Sequence, residues 1–176
     1  MKKFSILVII FLLVAITNCS PVYDHFYAYD RTVQFASLKT YNWLPLGAKE
    51  IKNELVRQRI KHAVNSELAS KGYKMVSENP DFLILARVGV KEETWSAGGE
   101  PFGGRYYSRR NYASRSVQIK AGTLLLDFVD AKSENPIWWG SASASLDRTY
   151  SPEKLDQLVG DVVRKILKEF PPPSSQ

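Results

Sequence analysis

A chain of 176 residues with 44% apolar and 24% charged residues has the balance of one ordinary globular domain, which excludes wholesale disorder and a multi-span membrane protein. Its formal charge of +6 favours anionic partners or surfaces without choosing among them. A single cysteine and two histidines, His25 and His62, leave neither a disulfide framework nor a histidine pair at metal-ligand spacing.

The chain opens "MKKFSILVIIFLLVAITNCS". Lys2 and Lys3 form a basic head, and residues 4–16 form an apolar run whose one polar member is Ser5, the layout of a secretory signal. A bilayer-spanning helix needs about 20 apolar residues, more than this run offers before Thr17 and Asn18. Export is the first expectation, and a retained anchor the second. "ITNC" resembles the lipobox of bacterial lipoproteins, with Asn18 standing where Gly, Ala or Ser is usual. The resemblance implies a signal peptide over residues 1–18, diacylation of Cys19 and a lipid-anchored N-terminus at 19–21. It also implies sorting to the outer membrane, because Ser20 rather than Asp follows the cysteine. A lone cysteine has no disulfide partner, so lipidation is its natural use, and several acyl chains hold a domain on a membrane stably. The alternative is plain secretion with one free thiol. Loss of Lys2 and Lys3 lowers the charge to about +4, a modest excess for an exported protein that does not meet nucleic acid.

Two short strands are expected next, over residues 22–29 and 39–44, from their aromatic and β-branched content and from Pro45 and Gly47. "NELVRQRIKHAVNSELASKGY" then changes period. Leu55, Val56, Ile60, Ala63, Val64 and Leu68 recur at helical spacing, Asn53 can cap the start, and Gly72 stands where a left-handed terminator belongs. Three strand segments follow. In "NPDFLILARVGVKEETW", Ala86, Val88 and Val90 alternate with Arg87, Gly89 and Lys91. In "SVQIKAGTLLLDFVDA" the apolar parity shifts after Gly122 to Leu124, Leu126 and Phe128; a bulge there would turn Asp127 outward with no need of a buried partner. In "NPIWWGSASASL", Trp138, Ala142, Ala144 and Leu146 share one face, where the alanines let a helix approach, while Trp139, Ser141, Ser143 and Ser145 form a solvent-facing row. "SPEKLDQLVGDVVRKILKEF" closes as a second amphipathic helix capped by Ser151 with Pro152 in its first turn, and "PPPSSQ" is expected to fray.

One-sided helices and a one-sided sheet bury their apolar faces by stacking. The expected fold is α+β, a two-layer sandwich with a mainly antiparallel sheet of about five strands and two helices on one face. It forms a single domain over residues 22–173, with a flexible loop at 95–115 and a disordered tail at 174–176. "LKTYNW", "SKGY", "NPDFLI", "LLLDFVDA", "PIWWGSA" and "KILKEFPP" occur in an order that resembles the bacterial lipoproteins of domain of unknown function 4136. The resemblance implies an envelope-facing α+β domain behind a lipobox and brings no catalytic residues with it.

The residues offer little catalytic chemistry. "SPEK", residues 151–154, satisfies the Ser-x-x-Lys pattern of penicillin-recognising enzymes, but Ser-Pro-Glu at a helix start is capping chemistry. Asp127 and Asp130, three apart on a strand, point to opposite faces. No nucleophile elbow or phosphate loop occurs, and neither a metal nor a cofactor is implied. The expected function is a non-catalytic, lipid-anchored cell-envelope protein that meets the membrane through its lipid and binds another envelope protein or an anionic envelope component. Candidate partner-binding residues are Arg105, Tyr106, Tyr107, Arg109, Arg110 and Tyr112, in the glycine-rich "GGEPFGGRYYSRRNYASR", and Trp139 beside the serine row. The alternative is an exported small-ligand binder or hydrolase with a pocket between the sheet and the 95–115 loop.

Overall fold

The computed structural model describes residues 22–44, 51, 53–89, 93–97, 115–119, 122–145 and 149–173. These form β1 (Val22–Tyr29), a 3-10 turn (Phe35–Ser37), β2 (Thr40–Trp43), α1 (Glu54–Ser70), β3 (Lys74–Met75), β4 (Phe82–Gly89), β5 (Glu93–Ala97), β6 (Arg115–Ile119), β7 (Thr123–Asp130), β8 (Pro136–Ala144) and α2 (Pro152–Leu167). Six strands make one sheet in the order β1-β8-β7-β4-β2-β3, and β5 pairs with β6. The neighbours from β1 to β4 are antiparallel, whereas β2 runs parallel to both β3 and β4. The α+β sandwich is thus present, but the sheet is mixed and has one strand more than expected. Helix α1 returns the chain so that β3 runs alongside β2 in the same direction, as a helical crossover requires. β3 is only two residues long, too short to show a period.

Both helices begin where their sequence signals place them. The Asn53 side chain accepts from the Leu55 and Val56 amides, and the Ser151 hydroxyl accepts from the Lys154 amide, with Pro152 at the first helical position. Gly72 takes φ +87° past the end of α1. Helix α1 buries Ile60, Val64 and Leu68, and α2 buries Leu158, Val162, Val163, Ile166 and Leu167. Leu55, expected on the apolar stripe, is 63% exposed in the first turn. The helices pack on each other, and α2 lies against β8 and β1. Gly140 permits that approach, since a Cβ there would meet the Trp138 ring at 2.4 Å and Ile166 Cγ2 at 2.8 Å. Beyond α2, Phe170 is fully buried among Phe82, Phe128 and Trp138, and Pro172 is buried too, so the expected fraying does not begin at residue 171.

The segment around Gly122 corrects the expectation of a bulge within one strand. Gly122, at φ +87°, separates β6 from β7; its amide donates to the Gly89 carbonyl and its own carbonyl accepts from Ala144. β6 belongs with β5, pairing Trp95 with Val117 and Ala97 with Arg115. The ends of the expected 95–115 loop are therefore paired strand, and its interior, 98–114, lies outside the described residues. The parity of β7 is as expected, with Leu124, Leu126 and Phe128 in the core. Asp127 does face the other way, but it is 9% exposed and paired with Arg87 rather than solvated. Most of the serine row is also buried, with Ser141 at 2%, Ser143 at 4% and Trp139 at 9% exposure, and only Ser145 at its end is exposed as expected. Alternation assigns residues to two faces; it does not say that the second face is wet.

At the parallel end of the sheet, Asp81 ties β2 to β4. Its carboxylate accepts from the Lys39 amide at 2.8 Å, the Thr40 amide at 2.8 Å and the Thr40 hydroxyl at 2.9 Å. These bonds, that of Lys39 first, hold its carboxyl below the usual range. Among the described residues, no helix is long and apolar enough to cross a membrane.

Candidate functional site

The face of the sheet turned away from the helices concentrates the buried polar groups. On β4, β7 and β8, register sets Leu85 and Trp139 beside Asp127, Arg87 and Ser141 beside Leu125, and Ser143 beside Thr123. Arg87 reaches diagonally to Asp127, with Nε 2.9 Å and Nη2 2.5 Å from Oδ2. Their side chains are only 15% and 12% exposed, so the pair is largely desolvated. Thr123 Oγ1 and Ser143 Oγ lie 2.7 Å apart, which satisfies two further buried hydroxyls. Trp139 lies in this layer, across from Asp127 on β7 and Ala28 on β1.

The outer strand of the same sheet carries the exposed aromatic residues. Phe26 is 57% and Tyr27 41% exposed, on opposite faces of β1. On the helix side, His25, Tyr27 and Tyr29 stack in a row with ring centroids 6.0 and 6.4 Å apart, and Tyr29 meets Phe35 edge-on. Among the described residues, His25 Nε2 is buried without a hydrogen-bond partner. Burial holds the His25 imidazole below its ordinary value, offset in part by Glu169 and by a hydrogen bond to the Ile166 backbone, and reinforced by Lys165 and Lys168.

A third feature is a shallow apolar depression between α1 and the β2–β4 pair, lined by Trp43, Ile60, Lys61 and Ile84 among others. The Lys61 ammonium sits 5.1 Å from the Trp43 ring centroid. Trp43 Nε1 and Tyr41 OH both donate to Asn65 Oδ1, at 3.0 and 3.1 Å, and burial raises the Tyr41 phenol.

Of the residues singled out from sequence, Cys19, Arg105, Tyr106, Tyr107, Arg109, Arg110 and Tyr112 lie outside the described residues. Trp139 is described and is buried beside Asp127 rather than displayed. Ser151 acts as a helix cap, its hydroxyl 3.3 Å from the Lys154 amide, and Asp130 closes its own turn by accepting from the Lys132 and Ser133 amides. His25 and His62 fall on β1 and α1, and no group of three acidic, histidine or cysteine residues suited to a metal occurs among the described residues. Sequence reasoning missed the exposed edge of β1 and the Arg87–Asp127 pair. The signal for the first was "HFYAY", an aromatic strand free of Lys and Pro. For the second it was the opposite charges on two strands that pair, two positions out of register with each other.

An α+β sandwich with a polar layer on one face and an aromatic edge is the class that these features define. The family model described as "Domain of unknown function (DUF4136)" matches residues 25–172, and the chain belongs to that family. Among solved structures, the chain is similar to a PDZ domain protein from Parabacteroides distasonis ATCC 8503, at TM-score 0.56 and 16% identity. That match covers 88% of this chain and 36% of the other, so this chain spans about a third of that protein's length. Two structures of a PelC dodecamer from Paraburkholderia phytofirmans match at TM-scores of 0.46 and 0.47, with 10% and 8% identity. Each covers 82% of this chain, and 93% and 94% of the PelC chains. At 16% identity the likeness to the PDZ domain protein is one of fold alone. A comparison with curated proteins finds no match.

Proposed function

We propose that the protein is a non-catalytic, lipid-anchored component of the cell envelope, facing the periplasm from the outer membrane, that binds another envelope protein or an anionic envelope component. The observation that carries this reading is Cys19, the single cysteine of the chain, placed at the end of a basic-then-apolar leader in "ITNC". Strand β1 begins at Val22, three residues later, so an acylated Cys19 would hold the sheet edge close to the bilayer surface. The absence of catalysis is supported by where the candidate groups are committed: Ser151 to a helix cap and Asp127 to Arg87. Partner binding is assigned to Arg105, Tyr106, Tyr107, Arg109, Arg110 and Tyr112, whose guanidinium groups and phenol rings suit an anionic surface.

Cys19→Ala in the full chain should release the protein from membranes and abolish palmitate labelling. Retention of the unlabelled variant on membranes would instead mean an uncleaved helix and would overturn the anchor. In-cell crosslinking from position 107 should recover a specific envelope partner; recovery of none would remove the binding half of the reading.

A further inference from the structure

Among the described residues, β1 is an outer strand of the six-stranded sheet and pairs with β8 alone. The Asp30 amide donates to the Ile137 carbonyl at 2.9 Å, which fixes the alternation along the strand. Phe26, Ala28 and Asp30 therefore turn their backbone groups toward β8, while His25, Tyr27 and Tyr29 turn theirs toward the open edge. Soluble proteins usually guard such an edge with lysine, proline or a bulge. Here the bulge comes early, between Tyr23 and His25, where Asp24 takes φ +49°. Beyond it, residues 25–29 contain no Lys, Arg, Asp, Glu or Pro.

We propose that residues 25–29 pair antiparallel with the same residues of a second copy of this chain, about a twofold axis through Tyr27, joining two sheets edge to edge. The outward backbone groups define the register. Tyr27 exchanges both hydrogen bonds with its own counterpart, and His25 pairs with Tyr29 of the other copy. Phe26 then lies across from Ala28, a large ring beside a small neighbour, on the face away from the helices. On the helix side, the row of His25, Tyr27 and Tyr29 continues into the same three rings of the second copy. The paired segment contributes no carboxylate, ammonium or guanidinium, so no like charges face each other within residues 25–29. Val22, where the chain enters β1, lies five residues from the axis, roughly 17 Å along the strand, and leaves the centre of the pairing clear.

The test uses the full chain with Cys19→Ala, purified in detergent, so that an introduced thiol is the only one present and the result stands apart from lipid anchoring. In this register the two copies of residue 27 have Cα atoms about 5.5 Å apart, within disulfide reach, whereas the two copies of residue 29 are roughly 14 Å apart. Tyr27→Cys should form an oxidised dimer, and Tyr29→Cys should do so about tenfold less. Tyr27→Pro removes an outward amide without touching the β8 ladder, and Tyr27→Lys sets two ammonium groups face to face. Both should sediment as monomers at concentrations where the Cys19→Ala parent is a dimer, with thermal melting retained. Equal crosslinking at 27 and 29 would overturn the register. A natively melting Tyr27→Cys chain that stays monomeric, or that crosslinks only to a different protein, would overturn the pairing itself.

Discussion

On the helix side of the sheet, Phe82, Phe128, Trp138 and Phe170 are fully buried and meet ring to ring, whereas on the other side the same strands bury Thr123, Asp127, Ser141 and Ser143. The first face is held by contact area, which is non-directional and forgiving of small displacements. The second is held by hydrogen bonds and one ion pair, which tolerate little displacement and are costly to leave half made. One set of β-strands can thus carry two kinds of stabilisation, and substitution should separate them.

The largest effect is expected at Phe170. It follows α2 and touches rings from the 3-10 turn, the residue before β3, and β4, β7 and β8, so it joins the helix layer to the sheet at a single point. Phe170→Ala should cost about 3–5 kcal/mol, read as a lowered urea midpoint with little change in slope. A loss below about 1 kcal/mol would mean that the aromatic cluster repacks around the gap and that the helix face is less tightly built than the distances indicate.

The polar face should respond differently. Asp127→Asn, which removes this ion pair from a largely desolvated layer, should cost about 2–3 kcal/mol. Replacing both residues by apolar ones of similar volume, Arg87→Met with Asp127→Leu, should recover most of that loss. The distinguishing measurement is a double-mutant cycle in urea, with a coupling of about 2 kcal/mol expected between the two positions. A coupling near zero would make the pair incidental and reduce the second face to ordinary packing.

That contrast also explains what the sequence made legible. The caps at Asn53 and Ser151, the left-handed Gly72 and the helical stripe of α2 are local patterns, each decided within a few residues, and each is found where it was expected. The burial of Ser141, Ser143 and Asp127 is decided by what lies above the strand in space, and a two-residue period carries no record of that. β3 failed for a related reason, since two residues joined in parallel to β2 are a tertiary fact. Of the candidate site, the buried place of Trp139 depends on the same unseen cover, and the exposed edge of β1 depends on strand order, which one sequence does not spell out. The opposite charges of Arg87 and Asp127 were in view, but nothing short of the β4–β7 register showed that they meet.

The smallest expected effect lies at His25, where the two kinds of stabilisation adjoin. Its ring is on the helix side, next to Tyr27, yet one nitrogen is buried with no hydrogen-bond partner among the described residues. Burial holds its folded-state value below the ordinary 6.5, against the pull of Glu169, with Lys165 and Lys168 adding to the depression. The unfolded chain therefore takes up the proton first as the pH falls. Stability should decline from about pH 6.5 downward and level off, for this group, once the pH passes below the folded-state value. His25→Phe keeps the ring row and removes the titration, so the difference in melting temperature between parent and variant should shift in the variant's favour across that window. A difference that stays constant from pH 7.5 to about 5 would show that the imidazole is as well solvated folded as unfolded. The edge of the helix-side core would then be wetter than the buried nitrogen implies.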